Sequence, residues 1–441
     1  MNQEKIKVLA LCDYACSTGF GVVSQNIMRQ LYKTGKYEVD IIAINYTGDP
    51  YDSEQYPGNV FPAMIANEAS GMGDAYGRQR FLDKLGTGTY DVVFILQDTF
   101  VVGTFIKQIL ETREGLKKIN KKQFSFVFYY PLDAAPKGEW IEQVAYLADY
   151  PVTYTNWAKR LSIEVEPKIE GKLGVIYHGT EFGDFFPVVK QDEIKNFRHN
   201  YFNGAADGRF LILNVNRNQP RKDVFRTFMV LNELRKRGRK EPILYMHMAH
   251  DDNGGNLLVM ADHFGFKLNK DYILPHPKVF NVNTGIGVDM LNFVYNVSDC
   301  LITTTLGEGW GLSVTEAMAT KLPVVAPNHS SLTEMLADNR GLLVPSGDNP
   351  SMFFALGSGD MERMRPLMNV EKAADAIERV MDGDGPDTEA AYDWVRQYNW
   401  TAVCEEWQKV FDRAALDART ATQYGAVYAN REIKRKARKG K

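Results

Sequence analysis

The sequence predicts an α/β protein made of two halves, each with its own parallel sheet. Residues 6–11 form a continuous apolar run that is followed by a glycine-containing loop and a segment with helical spacing. Residues 210–215 form a second such run, followed by a polar turn and another helical segment. Uninterrupted apolar runs are typical of strands buried on both faces of a parallel sheet. Residues 303–327 add a third pattern of strand, glycine loop, helix and strand.

Composition limits the class of protein. The chain has 441 residues, enough for two or three domains, and its formal net charge of −3 gives no overall attraction to nucleic acid or anionic membranes. No apolar run reaches the length of a membrane-spanning helix, and the N-terminal residues lack the pattern of a signal peptide. The four cysteines are too few and too scattered for a disulfide framework. We therefore expect a reduced, cytoplasmic protein.

The first half opens with a strand, helix and strand. The loop after residues 6–11 carries Gly19 and Gly21, which resemble the start of a dinucleotide-binding fingerprint. The third glycine of that fingerprint is replaced by Ser24, and the second strand, at residues 38–44, is not followed by an acidic residue. An NAD site is therefore not favoured. The two glycines either form a tight turn or present backbone N–H groups to a ligand.

Two later strands of the first half end near carboxylates. Residues 91–96 precede Asp98, and residues 124–130 precede Asp133. Side chains just past strand ends face the ligand crevice of an open α/β sheet, so both are candidates for acceptor contact or proton transfer. Helix capping is the equally weighted alternative. The irregular segment 46–88 is interpreted as a loop excursion that contributes to acceptor recognition.

The most informative stretch carries two glutamates, Glu308 and Glu316, eight positions apart. Gly309 and Gly311 lie between them, where a helix is predicted to begin. Glycine allows a ligand to approach the backbone, and the free N–H groups of a helix N-terminus attract phosphate. Carboxylates accept hydrogen bonds from hydroxyl groups. The combination predicts a sugar-nucleotide site, whereas a solvated helix glutamate is the alternative for either residue.

The segment E-G-W-G-L-S-V-T-E-A-M-A-T-K-L-P-V-V-A resembles the E-x7-E signature of the retaining glycosyltransferases of family 4 (glycosyl transferases group 1). The flanking sequences S-L-T-E-M-L and G-L-L-V-P-S-G-D match as well. This family has the GT-B fold, in which two Rossmann-like domains face each other across a cleft and C-terminal helices cross back to the first domain. The resemblance implies an acceptor-side domain at 1–187, completed by about 405–430, and a donor-binding domain at 188–404.

The resemblance also implies roles for charged residues. Arg217 and Lys222 have the spacing of an arginine and a lysine that family 4 places on the donor diphosphate. Fixed cations at a helix N-terminus stabilise the charge that develops on a leaving diphosphate. Glu316 is expected to accept hydrogen bonds from the ribose hydroxyls, and Glu308 to hold hydroxyls of the transferred sugar.

Further donor contacts follow from the resemblance and are mostly backbone groups. The implied donor-binding residues are Glu316, Gly309, Trp310, Gly311, Leu312, Gly19, Gly21 and His276. His276 is included because its segment lines the nucleobase pocket in the family. The family commonly has a histidine immediately before the position of Asp133, but Leu132 stands there in this chain, so that sugar contact is not carried over.

No metal is expected. Residues 382–384 spell D-G-D within a glycine-rich turn, and side-chain alternation along a strand turns His247 and His250 in different directions. The basic tail at 431–441 is interpreted as a disordered, solvated end. Binding of that tail to phosphates of nucleic acid or of a membrane surface is the alternative.

The sequence thus predicts transfer of a sugar, with retention, from a UDP- or GDP-sugar to an acceptor hydroxyl. The predicted catalytic residues are Glu308, Arg217, Lys222 and Asp133, with Asp98 and Asp133 on the acceptor side and no bound cofactor or metal. The acceptor is left open between a glycan, a lipid-linked sugar and a hydroxylated DNA base. The alternatives are a sugar-nucleotide epimerase of the same fold and a non-catalytic nucleotide- or nucleic-acid-binding protein.

Overall fold

The computed structural model describes residues 4–64, 74–276, 280 and 285–439. Three predicted segments lie partly outside these described residues: the excursion 46–88 at residues 65–73, the nucleobase segment at residues 277–278, and the basic tail at residues 440–441. The side chains beyond residue 424 are not described either.

The chain divides into two compact units, and both have the predicted α/β architecture. The first unit comprises residues 1–131, 136–179 and 400–441, and the second comprises residues 132–135 and 180–399. The functional assignment of an acceptor-side and a donor-side domain stays a prediction.

The first unit is built on one parallel sheet. Its described strands are β1 (Ile6–Asp13), β2 (Tyr37–Ile44), β3 (Asn59–Pro62), β4 (Val92–Leu96), β5 (Ser125–Tyr130), β6 (Tyr150–Thr153) and β7 (Gly174–Val175). They pair in the order β3-β2-β1-β4-β5-β6-β7. Its helices are α1 (Gly19–Lys33), α2 (Arg78–Gly86), α3 (Thr99–Gly103), α4 (Ile106–Lys118), α5 (Gly138–Glu142), α6 (Asn156–Val165) and a C-terminal helix at Trp400–Lys439. Strand β4 is apolar throughout, and β1 and β5 are mostly apolar, as is typical of strands that are covered on both faces of a sheet.

The C-terminal helix returns to the first unit, as the predicted fold class requires. Trp407 is fully buried, and its ring contacts Phe94 of β4 at 5.5 Å and Tyr129 of β5 at 4.6 Å between centroids. Burial of such large aromatic side chains stabilises the contact by a few kcal/mol. The helix continues to Lys439, so the prediction of a disordered tail is wrong for residues 431–439.

The second unit repeats the architecture with a parallel sheet of its own. Its strands are β8 (Phe210–Val215), β9 (Pro242–His247), β10 (Asp251–Asp252), β11 (Gly255–Asn256), β12 (Tyr272–Ile273), β13 (Cys300–Ile302), β14 (Val324–Pro327), β15 (Leu342–Val344), β16 (Phe353–Ala355) and β17 (Met364–Pro366). The main sheet has the order β12-β9-β8-β13-β14-β15, while β10-β11 and β16-β17 form separate two-stranded ribbons. Its helices are α7 (Gln191–Tyr201), α8 (Val224–Lys236), α9 (Leu257–His263), α10 (Val288–Asn296), α11 (Leu312–Ala319), α12 (Leu332–Met335), α13 (Val370–Met381) and α14 (Thr388–Arg396).

The apolar side chains of this second sheet pack under α8 and α13. Phe228 on α8 and Ile377 on α13 are fully buried in one cluster with Ile302 of β13. This packing holds the strands rigidly, so their carboxyl ends provide fixed positions for the loops that follow. Within the described part of the chain, no helix is both long and apolar enough to cross a membrane.

Candidate active site

Three adjacent strands of the second unit end at the predicted site. Strand β13 lies between β8 and β14, with Leu301 paired to Leu213 on one side and to Val324 on the other. The strands are parallel, so the loops that follow them emerge at the same edge of the sheet. Ligands of open α/β sheets bind at this edge. The sheet order therefore brings together Lys222, which follows β8, and Glu308, which follows β13.

The loops after β8 and β13 are joined by direct hydrogen bonds. The backbone N–H of Leu306 donates to the carbonyl of Arg221 at 2.8 Å, and the hydroxyl of Thr304 donates to the carbonyl of Asp223 at 2.9 Å. Asp223 has a left-handed backbone (φ 42°) and is the last residue before α8. The two loops consequently form one connected structure.

Glu308 is the ionic centre of this structure. It is 8% exposed, and its carboxylate accepts a hydrogen bond from the ammonium of Lys222 and lies 3.5 Å from Nη1 of Arg221. Burial alone would raise the pKa of Glu308, but Lys222 and Arg221 outweigh it and hold the pKa below its ordinary value. Glu308 is therefore ionised at neutral pH and keeps both cations in place.

The segment after β14 fixes the backbone around Glu308. The N–H of Glu308 donates to Oγ of Ser330 at 3.0 Å. The hydroxyl of Ser331 donates to the carbonyls of Glu308 at 2.9 Å and of Trp310 at 2.6 Å. Both serines are buried, so these bonds satisfy polar backbone groups that water does not reach. The glycine loop is thus preorganised.

Helix α11 begins directly after the glycine loop. Gly311 has φ 120°, a conformation that side chains disfavour, and an added Cβ would meet Met335 at 3.3 Å. The N–H of Val314 already donates to the carbonyl of Gly311 at 3.0 Å, whereas the N–H groups of the first two helical residues, Leu312 and Ser313, precede the first bond of the helix. Gly309 is half-buried, and Trp310 is 4% exposed, so the indole of Trp310 is buried. This helix start has the geometry of an anion site.

Glu316 lies in the second turn of α11, away from the cations around Glu308. Oε2 of Glu316 accepts a 2.6 Å hydrogen bond from the hydroxyl of Tyr295 on α10. Burial raises the pKa of Glu316 to about 7, with the Tyr295 hydrogen bond acting in the opposite direction. Its carboxyl group is therefore partly protonated at neutral pH and has hydrogen-bonding capacity beyond Tyr295.

Asp133 belongs with the second unit, although the sequence placed it on the acceptor side after a strand of the first half. Its carboxylate lies 3.1 Å from Nη1 of Arg363, 3.2 Å from Nη2 of Arg365 and 3.4 Å from Nε of Arg221. Burial opposes ionisation, but the three arginines lower the pKa of Asp133 to about 2. A carboxylate this acidic is a weak proton acceptor, so its surroundings favour a positioning role over proton transfer.

Arg217 and Lys222, predicted on the same diphosphate, differ in their surroundings. Nε of Arg217 donates to Asp252 of β10 at 2.9 Å, and the Arg217 side chain is 59% exposed. The Lys222 side chain is only 13% exposed. His276 is exposed, and its carbonyl accepts a 3.0 Å hydrogen bond from the N–H of Phe280.

The remaining predicted residues lie in the first unit. Helix α1 begins at Gly19, because Thr18 caps it by accepting a 3.0 Å hydrogen bond from the N–H of Gly21. A Cβ on Gly21 would come within 2.6 Å of the carbonyl of Cys16, so close packing explains this glycine. Asp98 occupies the N-cap position of α3, but its side chain makes no capping hydrogen bond.

The residues described in the structure include no group of three or more His, Cys, Asp or Glu side chains placed to hold a metal ion. His247, part of the histidine and aspartate run noted in the sequence, is buried and hydrogen-bonds to Tyr245 at 2.9 Å. Burial lowers the pKa of His247 to about 4. The metal independence of the reaction stays a prediction.

The sequence did not single out several residues that shape this site. Tyr295 and Ser330 carry no motif, and Ser331 begins the matching flank S-L-T-E-M-L without a role of its own being predicted, since a hydroxyl residue in a loop or on a helix has many uses. Arg363 and Arg365 were also missed. Their i, i+2 spacing is the one usable signal, because in an extended segment it directs two side chains to the same side.

Comparison with solved structures gives the class of this fold. The chain resembles a sucrose-phosphate synthase from Thermosynechococcus elongatus, with a TM-score of 0.66 and 15% identity over 93% of this chain and 99% of that chain. It also resembles a glycosyltransferase from Rickettsia africae (TM-score 0.68, 15% identity, 93% and 99% covered) and Anabaena HepE in complex with UDP-glucose (TM-score 0.66, 13% identity, 92% and 100% covered). The fold is therefore GT-B, as predicted.

Part of the sequence also matches a known family. Residues 280–357, which contain both glutamates of the motif, match the profile of the glycosyl transferases group 1. A trehalose synthase from Thermococcus litoralis is 30% identical over 138 residues, which cover 31% of this chain and 32% of that protein. One from Pyrococcus furiosus matches to the same extent. The chain spans about a third of the length of these curated relatives.

Proposed function

We propose that this protein is a retaining glycosyltransferase that transfers a sugar from a nucleotide diphosphate sugar to an acceptor hydroxyl. The observation that carries the proposal is the grouping of Lys222, Arg221 and Glu308 beside the N-terminus of α11. Cations, free N–H groups and a carboxylate then lie together at one sheet edge. This combination suits a diphosphate attached to a polyhydroxylated sugar.

In this proposal Lys222 stabilises the diphosphate. Negative charge on the phosphate oxygens grows as the bond to the sugar breaks, and a cation already fixed in a poorly solvated site stabilises that charge without reorganisation. The N–H groups at the start of α11, from Gly309 to Leu312, act on the same oxygens. Arg217 gives up its ion pair with Asp252 and binds the diphosphate from the solvent side.

Glu308 and Glu316 divide the recognition of hydroxyl groups. Glu308, held ionised by Lys222 and Arg221, accepts hydrogen bonds from the transferred sugar. Glu316 accepts from the ribose, and its Tyr295 partner orients the carboxyl group for this purpose. Supporting facts are the burial of Glu308, the partial burial of Glu316 and the match of residues 280–357 to the family profile. UDP or GDP is the proposed nucleotide, and UDP has support from the HepE complex with UDP-glucose.

The proposed chemistry retains the anomeric configuration and requires no metal. Both expectations rest on the resemblance to family 4. The acceptor is proposed to be a hydroxyl compound, namely a glycan, a lipid-linked sugar or a hydroxylated base, in a cytoplasmic setting.

Product analysis tests this function. The protein is incubated with UDP-glucose, and separately with GDP-mannose, in the presence of mono- and disaccharide acceptors, and products are examined by mass spectrometry and ¹H NMR. A glycosylated acceptor with an α-anomeric proton, formed by wild type and not by Glu308→Gln, is expected. A sugar nucleotide altered without any acceptor would indicate an epimerase instead. Nucleotide binding that is unaffected by Glu308→Gln and Glu316→Ala, but lost on deletion of residues 431–441, would indicate a non-catalytic binding protein.

A further inference from the structure

Two arginines reach the site from beyond the family match: Arg365 on β17 of the ribbon β16–β17, and Arg363 immediately before that strand. The match ends at residue 357, whereas Arg363 and Arg365 follow it. Phe354 pairs with Arg365 in the antiparallel register of this ribbon. The ribbon therefore adds charged groups that the segment matched by the profile does not contain.

Arg365 is fully buried, which is exceptional for a guanidinium. Its Nε donates to Oδ2 of Asp360 at 2.6 Å, and its Nη2 donates to Oδ1 of Asp360 at 2.7 Å. The same Nη2 lies 3.2 Å from both carboxylate oxygens of Asp133. Its Nη1 also reaches the carbonyls of Asp133 and Leu306, each at 3.4 Å. The fully buried Arg365 thus fixes the position of Asp133.

Asp133 in turn holds Arg221. Oδ2 of Asp133 lies 3.4 Å from Nε of Arg221, while Nη1 of Arg221 donates to the carbonyl of Gly307 and lies 3.5 Å from Glu308. The charges alternate along this path, from Asp360 through Arg365, Asp133 and Arg221 to Glu308. A Cβ on Gly307 would come within 2.0 Å of the Asp133 carbonyl, so the backbones also meet closely here.

We infer that Arg365 is a positioning residue that sets the place of Glu308 by acting through Asp133 and Arg221. The inference rests on the proposed function, because Glu308 is the group proposed to hold the transferred sugar. A planar fork is needed for this task, since one guanidinium must hold two carboxylates in fixed directions. Lysine keeps the charge but offers no such fork. Loss of the hydrogen bonds between Arg365 and Asp133 should therefore weaken recognition of the sugar but not of the nucleotide.

The test compares binding of a nucleotide with binding of its sugar conjugate by calorimetry. Two pairs of ligands are used, UDP with UDP-glucose and GDP with GDP-mannose. The variants are compared with the pair that binds to wild type. Arg365→Lys is expected to weaken binding of the sugar conjugate about tenfold, as for loss of one charged hydrogen bond, with little change for the nucleotide alone. Asp133→Asn, which keeps the side-chain shape, is expected to give the same pattern. It provides the test if Arg365→Lys does not fold.

Two controls separate positioning from a general loss of stability. Arg198→Lys changes another largely buried arginine, bonded to Asp299 and to the Val297 carbonyl, and is expected to lower the melting temperature without changing the ratio of the two affinities. In an Arg221→Met background, Arg365→Lys is expected to cause no further loss, because the path to Glu308 is already broken.

Two results overturn the inference while leaving the proposed function intact. One is equal weakening of nucleotide and sugar conjugate by Arg365→Lys and by Asp133→Asn. The other is a full additional loss in the Arg221→Met background. If neither nucleotide nor conjugate binds wild type, the proposed function fails and this inference fails with it.

Discussion

The hydroxyl of Tyr295 donates a 2.6 Å hydrogen bond to Oε2 of Glu316, which joins α10 to the helix that follows the glycine loop. This bond lowers the pKa of Glu316, but burial raises it more, and the result is a pKa of about 7. The carboxyl group therefore changes charge within the physiological pH range.

Unfolding free energy should consequently depend on pH through Glu316. Above pH about 4.5 an unfolded chain releases this proton, whereas the folded chain keeps it until about pH 7. The unfolded state then binds fewer protons, so stability falls as pH rises from about 4.5 to 7 and levels off above. Urea unfolding of wild type, relative to Glu316→Gln, should show a loss of about 1–3 kcal/mol across this window. A difference that stays constant with pH would contradict the assigned ionisation.

Glu308→Gln should raise the affinity for a nucleoside diphosphate while impairing recognition of the sugar. In the free protein the Lys222 ammonium is engaged by Glu308, and the neutral amide releases it for phosphate. Calorimetry with UDP and UDP-glucose should show that Glu308→Gln binds UDP about threefold more tightly than wild type does. The affinity for UDP-glucose relative to UDP should be smaller than in wild type. Glu371→Gln, on the exposed start of α13, should change neither value. Weaker UDP binding by Glu308→Gln would contradict this account.

Lys222 and Arg217 should contribute unequally to diphosphate binding. Lys222 is largely buried, so its loss in Lys222→Met removes a charged contact in a poorly solvated site and should weaken UDP binding about 10- to 100-fold. Arg217 is mostly exposed and already paired with Asp252, so Arg217→Met should cost less than about fivefold, and its effect should shrink in salt. A larger effect for Arg217→Met than for Lys222→Met would reverse this ranking.

Ser331→Ala should destabilise the glycine loop. The substitution leaves the buried carbonyls of Glu308 and Trp310 without their hydroxyl donor, at a cost of about 1–3 kcal/mol. Ser298→Ala is the control, because the Ser298 hydroxyl donates to the carbonyl of Val294, four residues earlier in the last turn of α10, and its loss should cost about 0.5 kcal/mol or less. Denaturant unfolding measures both. Equal effects would show that the serine does not hold the loop.

Much of this architecture could be predicted because its signals are local. The apolar runs of β1 and β8 reflect the burial of each strand. The glycines before α11 and the spacing of Glu308 and Glu316 likewise reflect requirements of their own segment. Sheet order then brings Lys222 and Glu308 together by a general rule of parallel sheets. The GT-B fold, in addition, rested on the resemblance to a known family.

Some missed features depend on contacts distant in sequence. Asp133 and Arg365 are 232 positions apart, and neither sequence segment indicates the other. Other missed features are local: the N–H of Gly21 donates to Thr18, a helix cap that the glycine pattern did not reveal. The extent of the C-terminal helix was underestimated because polar and basic residues are compatible with both helix and solvated chain.

Thermal unfolding with a panel of UDP, GDP, ADP, CDP and NAD tests the central claim most directly, with wild type, Glu316→Ala and the control Glu378→Ala compared. Glu378 lies on α13 and pairs with Arg237, away from the glycine loop. A ligand at about 100 times its dissociation constant adds roughly 2.7 kcal/mol of stability. We predict that UDP or GDP stabilises wild type and Glu378→Ala, and stabilises Glu316→Ala much less. Stabilisation by NAD alone, or equal stabilisation of Glu316→Ala by the diphosphate, would contradict a sugar-nucleotide site at this motif.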